Sequence, residues 1–202
     1  MKNKKIIFIC IIIISFIIII SFFYYKKQNS GNNISKSITD YRQNILNISS
    51  YEATISVEIN SNKNTNKYII KQWYSSPNTF KQEVKAPENI KGLITLYDGS
   101  NLEIQNTNLN LSKIYKDYNC LSNNILSLNS FIEELKENNS ECIESDNEII
   151  LEATLKKKYA WYKRLSISKT TGKPIKMEIL DENKNRLVYI LYNEITINNI
   201  IK

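Results

Sequence analysis

The 202-residue chain contains no histidine, only three cysteines, three prolines and four glycines. Without histidine there is no Ser-His-Asp triad, no Cys–His pair and no imidazole ligand for zinc. Cys120 and Cys142, separated by 22 positions, cannot make a structural zinc site without other ligands, so neither metal nor cofactor is expected. Gly172-Lys173 lacks the earlier glycine that a phosphate-cradling loop requires. A strong excess of charge is also missing. The formal net charge is +7, but Lys2, Lys4, Lys5, Lys26 and Lys27 flank the N-terminal apolar run and account for most of it. The chain beyond residue 27 is nearly neutral, which argues against a nucleic-acid partner.

The remaining catalytic patterns are weak. Ser166-Ile-Ser-Lys169 matches the S-x-x-K motif of penicillin-binding enzymes, and Lys169-Thr-Thr-Gly172 faintly resembles their K-T-G. There, however, the serine opens a helix and the second motif lies on a distant strand, whereas here both share one residue at a strand-to-turn junction. Glu133, Glu134, Glu137, Glu141, Glu144, Asp146 and Glu148 lack the alternate spacing and turn glycine of a calcium loop, and are read as a solvated acidic face. "LKKKYAWYKRL" (155–165) is read as a basic hairpin turn feeding a strand with Trp161, Leu165 and Ile167 inward. No enzymatic activity is expected.

One long apolar run is present. Ile6–Tyr25 is twenty residues without a charge, about 30 Å as a helix and enough to cross a bilayer. The bulky exit Ser21-Phe22-Phe23-Tyr24-Tyr25 does not suit signal peptidase, so the run reads as an uncleaved anchor with its N-terminus in the cytoplasm. Cys10 is a candidate for lipidation only in name: Ile9 precedes it, and it opens the apolar run rather than closing it. The division expected is residues 1–27 as anchor, 28–33 as linker, and 34–202 as one extracytoplasmic domain.

Within that domain Ile34, Ile38, Tyr41, Ile45 and Ile48 predict a helix over 35–48, and Ser130 with Glu133 has capping-box spacing for a second over 130–138. Tyr51-Glu-Ala-Thr-Ile-Ser-Val-Glu-Ile59 alternates apolar and polar residues, as do 80–84, 149–155 and 175–179. Turns at Ser76-Pro77, Asp98-Gly99, Thr171-Gly172 and 182–185 predict antiparallel meanders, with 187–192, apolar on both faces, placed centrally. The expected class is α+β: one large curved antiparallel β-sheet, a half-barrel with two helices on its concave face, preceded by one transmembrane helix. Ile55, Val57, Ile59, Phe80 and Val84 fall on the inner face, where they either pack the core or line a hydrophobic groove. A Cys120–Cys142 disulfide and a pair of free thiols both remain open.

The stretch "QWYSSPNTFKQEVKAPENIKGLITLYDG" (72–99) places Trp73, Pro77, Phe80, Glu83, Pro87, Asp98 and Gly99 in an order that resembles the LolA/LolB lipoprotein-carrier superfamily. "LSISKTTGKPIKMEILDENKNRLVYILYNEI" (165–195) resembles that superfamily's later paired strands, with Asn183 or Asn185 where a glycine would stand. Within the superfamily, and with Ile, Asn and Lys abundant, the chain is most similar to the clostridial spore germination lipoproteins, the GerS group. That resemblance implies a non-enzymatic partner of the cortex N-acetylmuramoyl-L-alanine amidase, acting in sporulation and germination. It equally leaves room for a lipid- or lipoprotein-binding carrier, a regulatory sensor domain, or a homodimer.

Overall fold

The computed structural model describes residues 38–61, 64–77, 79–118, 124–137, 140–155, 157 and 160–198. The expected span, Cys10, the linker and Cys120 lie outside them. Among the described residues no helix is long and apolar enough to cross a membrane.

Alternation in the sequence becomes sheet. Helix α1 (Ile38–Leu46) leads into β1 (Ser50–Asn60), β2 (Thr65–Ser75) and β3 (Thr79–Ala86); a 3-10 turn at Glu88–Ile90 precedes β4 (Leu93–Tyr97), β5 (Leu102–Asn106) and β6 (Leu111–Tyr115). Helix α2 (Leu128–Glu137) follows, then β7 (Ser140–Glu144), β8 (Glu148–Thr154), β9 (Tyr162–Ser168), β10 (Pro174–Leu180) and β11 (Arg186–Ile197). All eleven strands form one antiparallel sheet in the order β6-β5-β4-β3-β2-β1-β11-β10-β9-β8-β7. It consists of two meanders, β1–β6 and β7–β11, joined where β1 pairs with β11. The apolar 187–192 run therefore lies in the middle of the sheet, as its two-sided hydrophobicity predicts.

One face carries the core. Ile55, Val57, Ile190, Leu165 and Ile167 are fully buried there with Tyr41 and Ile45 of α1 and Phe131 and Leu135 of α2. Arg42 locks the helices together by donating to the Leu135 carbonyl at 3.1 Å and to Ser140 Oγ at 3.2 Å. The Leu135 carbonyl lies in the last turn of α2, where helix carbonyls lack intrahelical partners. Helix α2 begins earlier than its apparent capping box. Ser127 is the cap, accepting from the Ser130 amide at 3.1 Å, while Glu133 pairs with Lys136 at 3.0 Å instead of reaching back.

Two turns carry the family pattern. Asp98 accepts from the Ser100 and Asn101 amides at 2.8 and 2.7 Å, and Asp181 does the same for Asn183 and Asn185 at 2.9 and 2.7 Å. In the second turn the left-handed residue is Lys184 (φ 64°), not either neighbouring asparagine. Its side chain accounts for a non-glycine there: the ammonium lies over the Tyr162 ring and bonds Glu152, a carboxylate only 3% exposed that Arg164 also bonds.

Gly92 (φ +80°) joins the 3-10 turn to β4, and its carbonyl accepts from the Thr107 amide and hydroxyl. A Cβ there would lie 2.5 Å from Thr107 Oγ1, whereas one on Gly172 (φ +70°) meets nothing within 4 Å. Gly172→Ala should cost about 1–2 kcal/mol for the left-handed backbone alone. Gly92→Ala should cost measurably more in urea unfolding, because the clash adds to the same backbone term.

Candidate functional site

Strand parity fixes which side chains leave the core. Along β2, Ile70, Gln72 and Tyr74 point to the helix-covered face, so Ile69, Lys71, Trp73 and Ser75 point to the opposite one. The register then aligns one row of side chains across six strands: Glu52, Trp73, Lys81, Leu96, Glu103 and Ile114. Beside it run Ser50, Ser75 and Thr79, with Asp98 and Asn101 closing the end. Together these residues line a trough of about 530 Å³ on the face away from the helices.

Its floor is Trp73, half-buried, with the ammoniums of Lys71 and Lys81 at 4.9 and 4.8 Å from the ring centroid. Lys71 also pairs with Glu52 at 2.7 Å. Lys81 makes no ion pair with a carboxylate among the described residues. Glu103 accepts from the Ser112 hydroxyl, which holds its carboxyl below the usual range. Asp98 is held low by the Asn101 side chain and by the turn amides.

Of the residues singled out in the sequence, Trp73 and Asp98 line the trough. Pro77 sits in the β2–β3 turn and Pro87 ends β3, each after a cis peptide bond; Gly99 takes φ 103°. Glu83 points outward and pairs with Lys85 at 2.5 Å. Ile55, Val57, Phe80 and Val84 are buried on the helix-facing side and Ile59 half-buried. That places them against the core, and only Phe80 also borders the trough. Ser166 and Lys169 do not meet as a catalytic pair, since Lys169 bonds Glu144 at 2.6 Å. Cys142 carries a free thiol on β7. Among the described residues no group of three or more His, Cys, Asp or Glu could hold a metal ion.

The helix-facing side holds a polar cluster that the sequence reading missed. Lys163 has no exposed surface; its ammonium donates to Ser130 Oγ at 2.7 Å and pairs with Glu134 at 2.8 Å. Glu134, expected on a solvated acidic face, is instead buried beneath α2, with Lys157 at 3.4 Å on its other oxygen. The signal was strand parity, for Lys163 shares the inward phase of Leu165 and Ile167, while Trp161 precedes the strand. A serine next to a buried lysine has the make-up of a nucleophile and base. Here the serine hydroxyl is bound to the Ser127 carbonyl at 3.1 Å and the ammonium has a counterion, so the trio ties α2 to β9. Nearby, the Tyr51 and Tyr192 hydroxyls are pushed up by burial, and both amide atoms of Gln72 are buried without a hydrogen-bond partner among the described residues.

The family described as sporulation protein YdcC-like matches residues 3–202. Among curated proteins no significant match is found. Of solved structures, the chain is similar to an uncharacterized conserved protein from Thermus thermophilus, at 13% identity over 81% of this chain and 86% of that one, with a TM-score of 0.53. It is also similar to a chain in the complex of the CwlD amidase from Clostridioides difficile with the GerS lipoprotein, at 20% identity over 81% and 92% with a TM-score of 0.44. A LolA superfamily protein from Nitrosomonas europaea matches at 12% identity over 82% and 94%, again with a TM-score of 0.44.

Burial pushes the Lys163 ammonium down to about 8 from its ordinary value, and Glu134 only partly restores it. Between about pH 8 and 10.5 the unfolded chain therefore holds a proton at Lys163 that the folded chain has lost, and the contribution of this group to stability rises with pH across that window, against the fall that Tyr51 and Tyr192 contribute as pH nears 10. Urea titrations of the wild type against Lys163→Met isolate the effect, because the rise should vanish in the variant. At neutral pH the same variant leaves the buried Glu134 with Lys157 but without Lys163 and should lose up to about 3–5 kcal/mol.

Proposed function

The chain belongs to the YdcC-like sporulation protein family, and we propose that within it the domain is a non-catalytic accessory protein that binds and supports a spore-cortex peptidoglycan amidase. The family match along almost the whole chain carries this reading. The resemblance to the GerS group, carried by the composition and by "WYSSPNTFKQE" (73–83) and "LYNEI" (191–195), supplies the partner class. Two features of the fold support it. The titratable groups beneath α2 are tied to one another by hydrogen bonds and ion pairs, which suits a scaffold. The opposite face offers an aromatic floor with charged residues around it, the composition of a protein-binding hot spot.

In this reading residues 1–27 anchor the chain through Ile6–Tyr25, and the domain works on the outer side of that membrane, where the cortex is built. An anchored domain holds its partner at one membrane and does not shuttle between two.

The reading is tested by mixing the full-length chain in detergent with the cortex amidase from the same genome on a sizing column. Co-elution, together with higher zinc retention by the amidase, is the expected result. Separate elution at tens of micromolar overturns the amidase as partner, and mass spectrometry of the purified chain for a bound lipid then decides for a carrier.

A further inference from the structure

The trough has a spacing that selects its occupant. Trp73, Leu96 and Ile114 lie in one row on β2, β4 and β6, with Lys81 and Glu103 on the strands between them. Neighbouring strands are about 4.8 Å apart, so each apolar residue stands about 9.5 Å from the next, measured across the strands. Along an α-helix, positions i and i+7 are separated by about 10.5 Å and return to nearly the same face. A helix laid perpendicular to the strands would set residues seven apart on Trp73, Leu96 and Ile114, and its intervening turns on the charges.

Charge excludes the other occupants. An acyl chain along this row would strip water from Glu52, Lys81 and Glu103 without pairing any of them. A phosphate-bearing polymer or lipid head would meet Glu52, Asp98 and Glu103 against two ammoniums over Trp73, Lys81 and Lys71, of which Lys71 is already taken by Glu52. A helix side chain can supply each counterion in place. Lys81 offers a half-buried cation with no carboxylate partner among the described residues, beside an indole that it already helps to position.

We propose that the trough docks an amphipathic α-helix of the partner protein, lying across β1–β6, with apolar residues seven positions apart on Trp73, Leu96 and Ile114, an acidic residue against Lys81 and a basic one against Glu103. This rests on the partner-binding reading above and adds which surface is used and what chemistry the partner presents. Of the inner-face residues singled out in the sequence only Phe80 borders the trough, so groove and core are largely made by different side chains.

The test uses the full-length chain in detergent and measures its affinity for the cortex amidase. Trp73→Ala and Lys81→Glu should each weaken binding at least tenfold. Ile143→Ala, on the exposed surface of β7, should leave it unchanged. Thermal melts check that each variant is folded. If the wild type binds and the trough variants bind equally well, the trough proposal falls while the accessory reading stands. If the wild type does not bind the amidase, the accessory reading loses its partner and a second experiment decides for the trough. A photo-crosslinking residue at position 96 of the full-length chain, in sporulating cells, should join to one segment of one protein with apolar residues seven apart and an acid between them. Changing that acid to lysine should restore binding to Lys81→Glu. Crosslinks to lipid, to glycan, to a second copy of this chain or to nothing overturn the proposal.

Discussion

The pairing of β1 with β11 is the interaction on which the rest of the sheet depends. It joins residues at opposite ends of the domain, from Tyr51 opposite Ile197 to Ile59 opposite Val188, with a bulge at Thr54–Ile55. Every other pairing belongs to a local meander. Without this seam there would be two sheets of six and five strands, each with one apolar face and two open edges. The seam is apolar on its core side through Ile55, Val57, Val188 and Ile190, and polar bonds hold its end. Asn198 accepts from the Ser49 amide at 2.8 Å and its own amide donates to the Ser50 carbonyl at 2.8 Å, while Asn193 donates to Ser56 Oγ at 2.8 Å. Such long-range pairing makes for slow folding, since the entropy of closing the chain is lost before the contacts form.

The seam also dictates the course of the chain between its two halves. With β1 and β11 in the centre, β6 and β7 are driven to opposite edges, although they are consecutive strands. The chain leaves the sheet at Tyr115 and re-enters it at Ser140 on the far side. That crossing delivers α2 to the core face over β8, where Ser130 and Glu134 meet Lys163. A charged group deep in a core is costly unless paired, so the cluster specifies where α2 sits more than it adds stability. Apolar packing of Phe131, Ile132 and Leu135 supplies the attraction, and the buried ion pair sets the register.

Much of this was legible in the sequence, and the gaps have physical causes. Alternation in 51–59 and the two-sided run 187–192 were sufficient to place β1 and β11, because a half-buried strand and a central one leave different patterns. Short turns implied meanders, and the meanders implied an antiparallel sheet. Lys163 was misread because a lysine is normally exposed, and composition outweighed parity there. Ser130 satisfies a capping rule that Ser127 satisfies too, and only the position of the helix on the sheet decides between them. Lys184 took the place of a glycine because its side chain has work at Glu152 that a sequence pattern does not reveal. The trough was hidden for a further reason. Glu52, Trp73, Lys81, Leu96, Glu103 and Ile114 are scattered along more than sixty positions, and only the register of five strand pairs brings them into one row.

The outward faces of the two halves of the sheet differ in one respect, and that difference supports the proposed docking surface. In the β7–β11 half, Glu144 pairs with Lys169, Glu148 with Lys176, Glu152 with Arg164 and Lys184, and Glu178 with Arg186. Those charges are answered from within, and the helices press on the other side of the same strands. In the β1–β6 half the outward face pairs Glu52 with Lys71, Glu58 with Lys67 and Glu83 with Lys85, but keeps in a shared depression a tryptophan, two aliphatic residues and, in Lys81, an ammonium with no carboxylate partner among the described residues. Isolated apolar side chains on a surface need no explanation, but a contiguous row with a half-buried cation in it is not a relaxed solvent face. The core side of both halves closes in one cluster with the helices, so the surface proposed for a partner is the outward face of β1–β6.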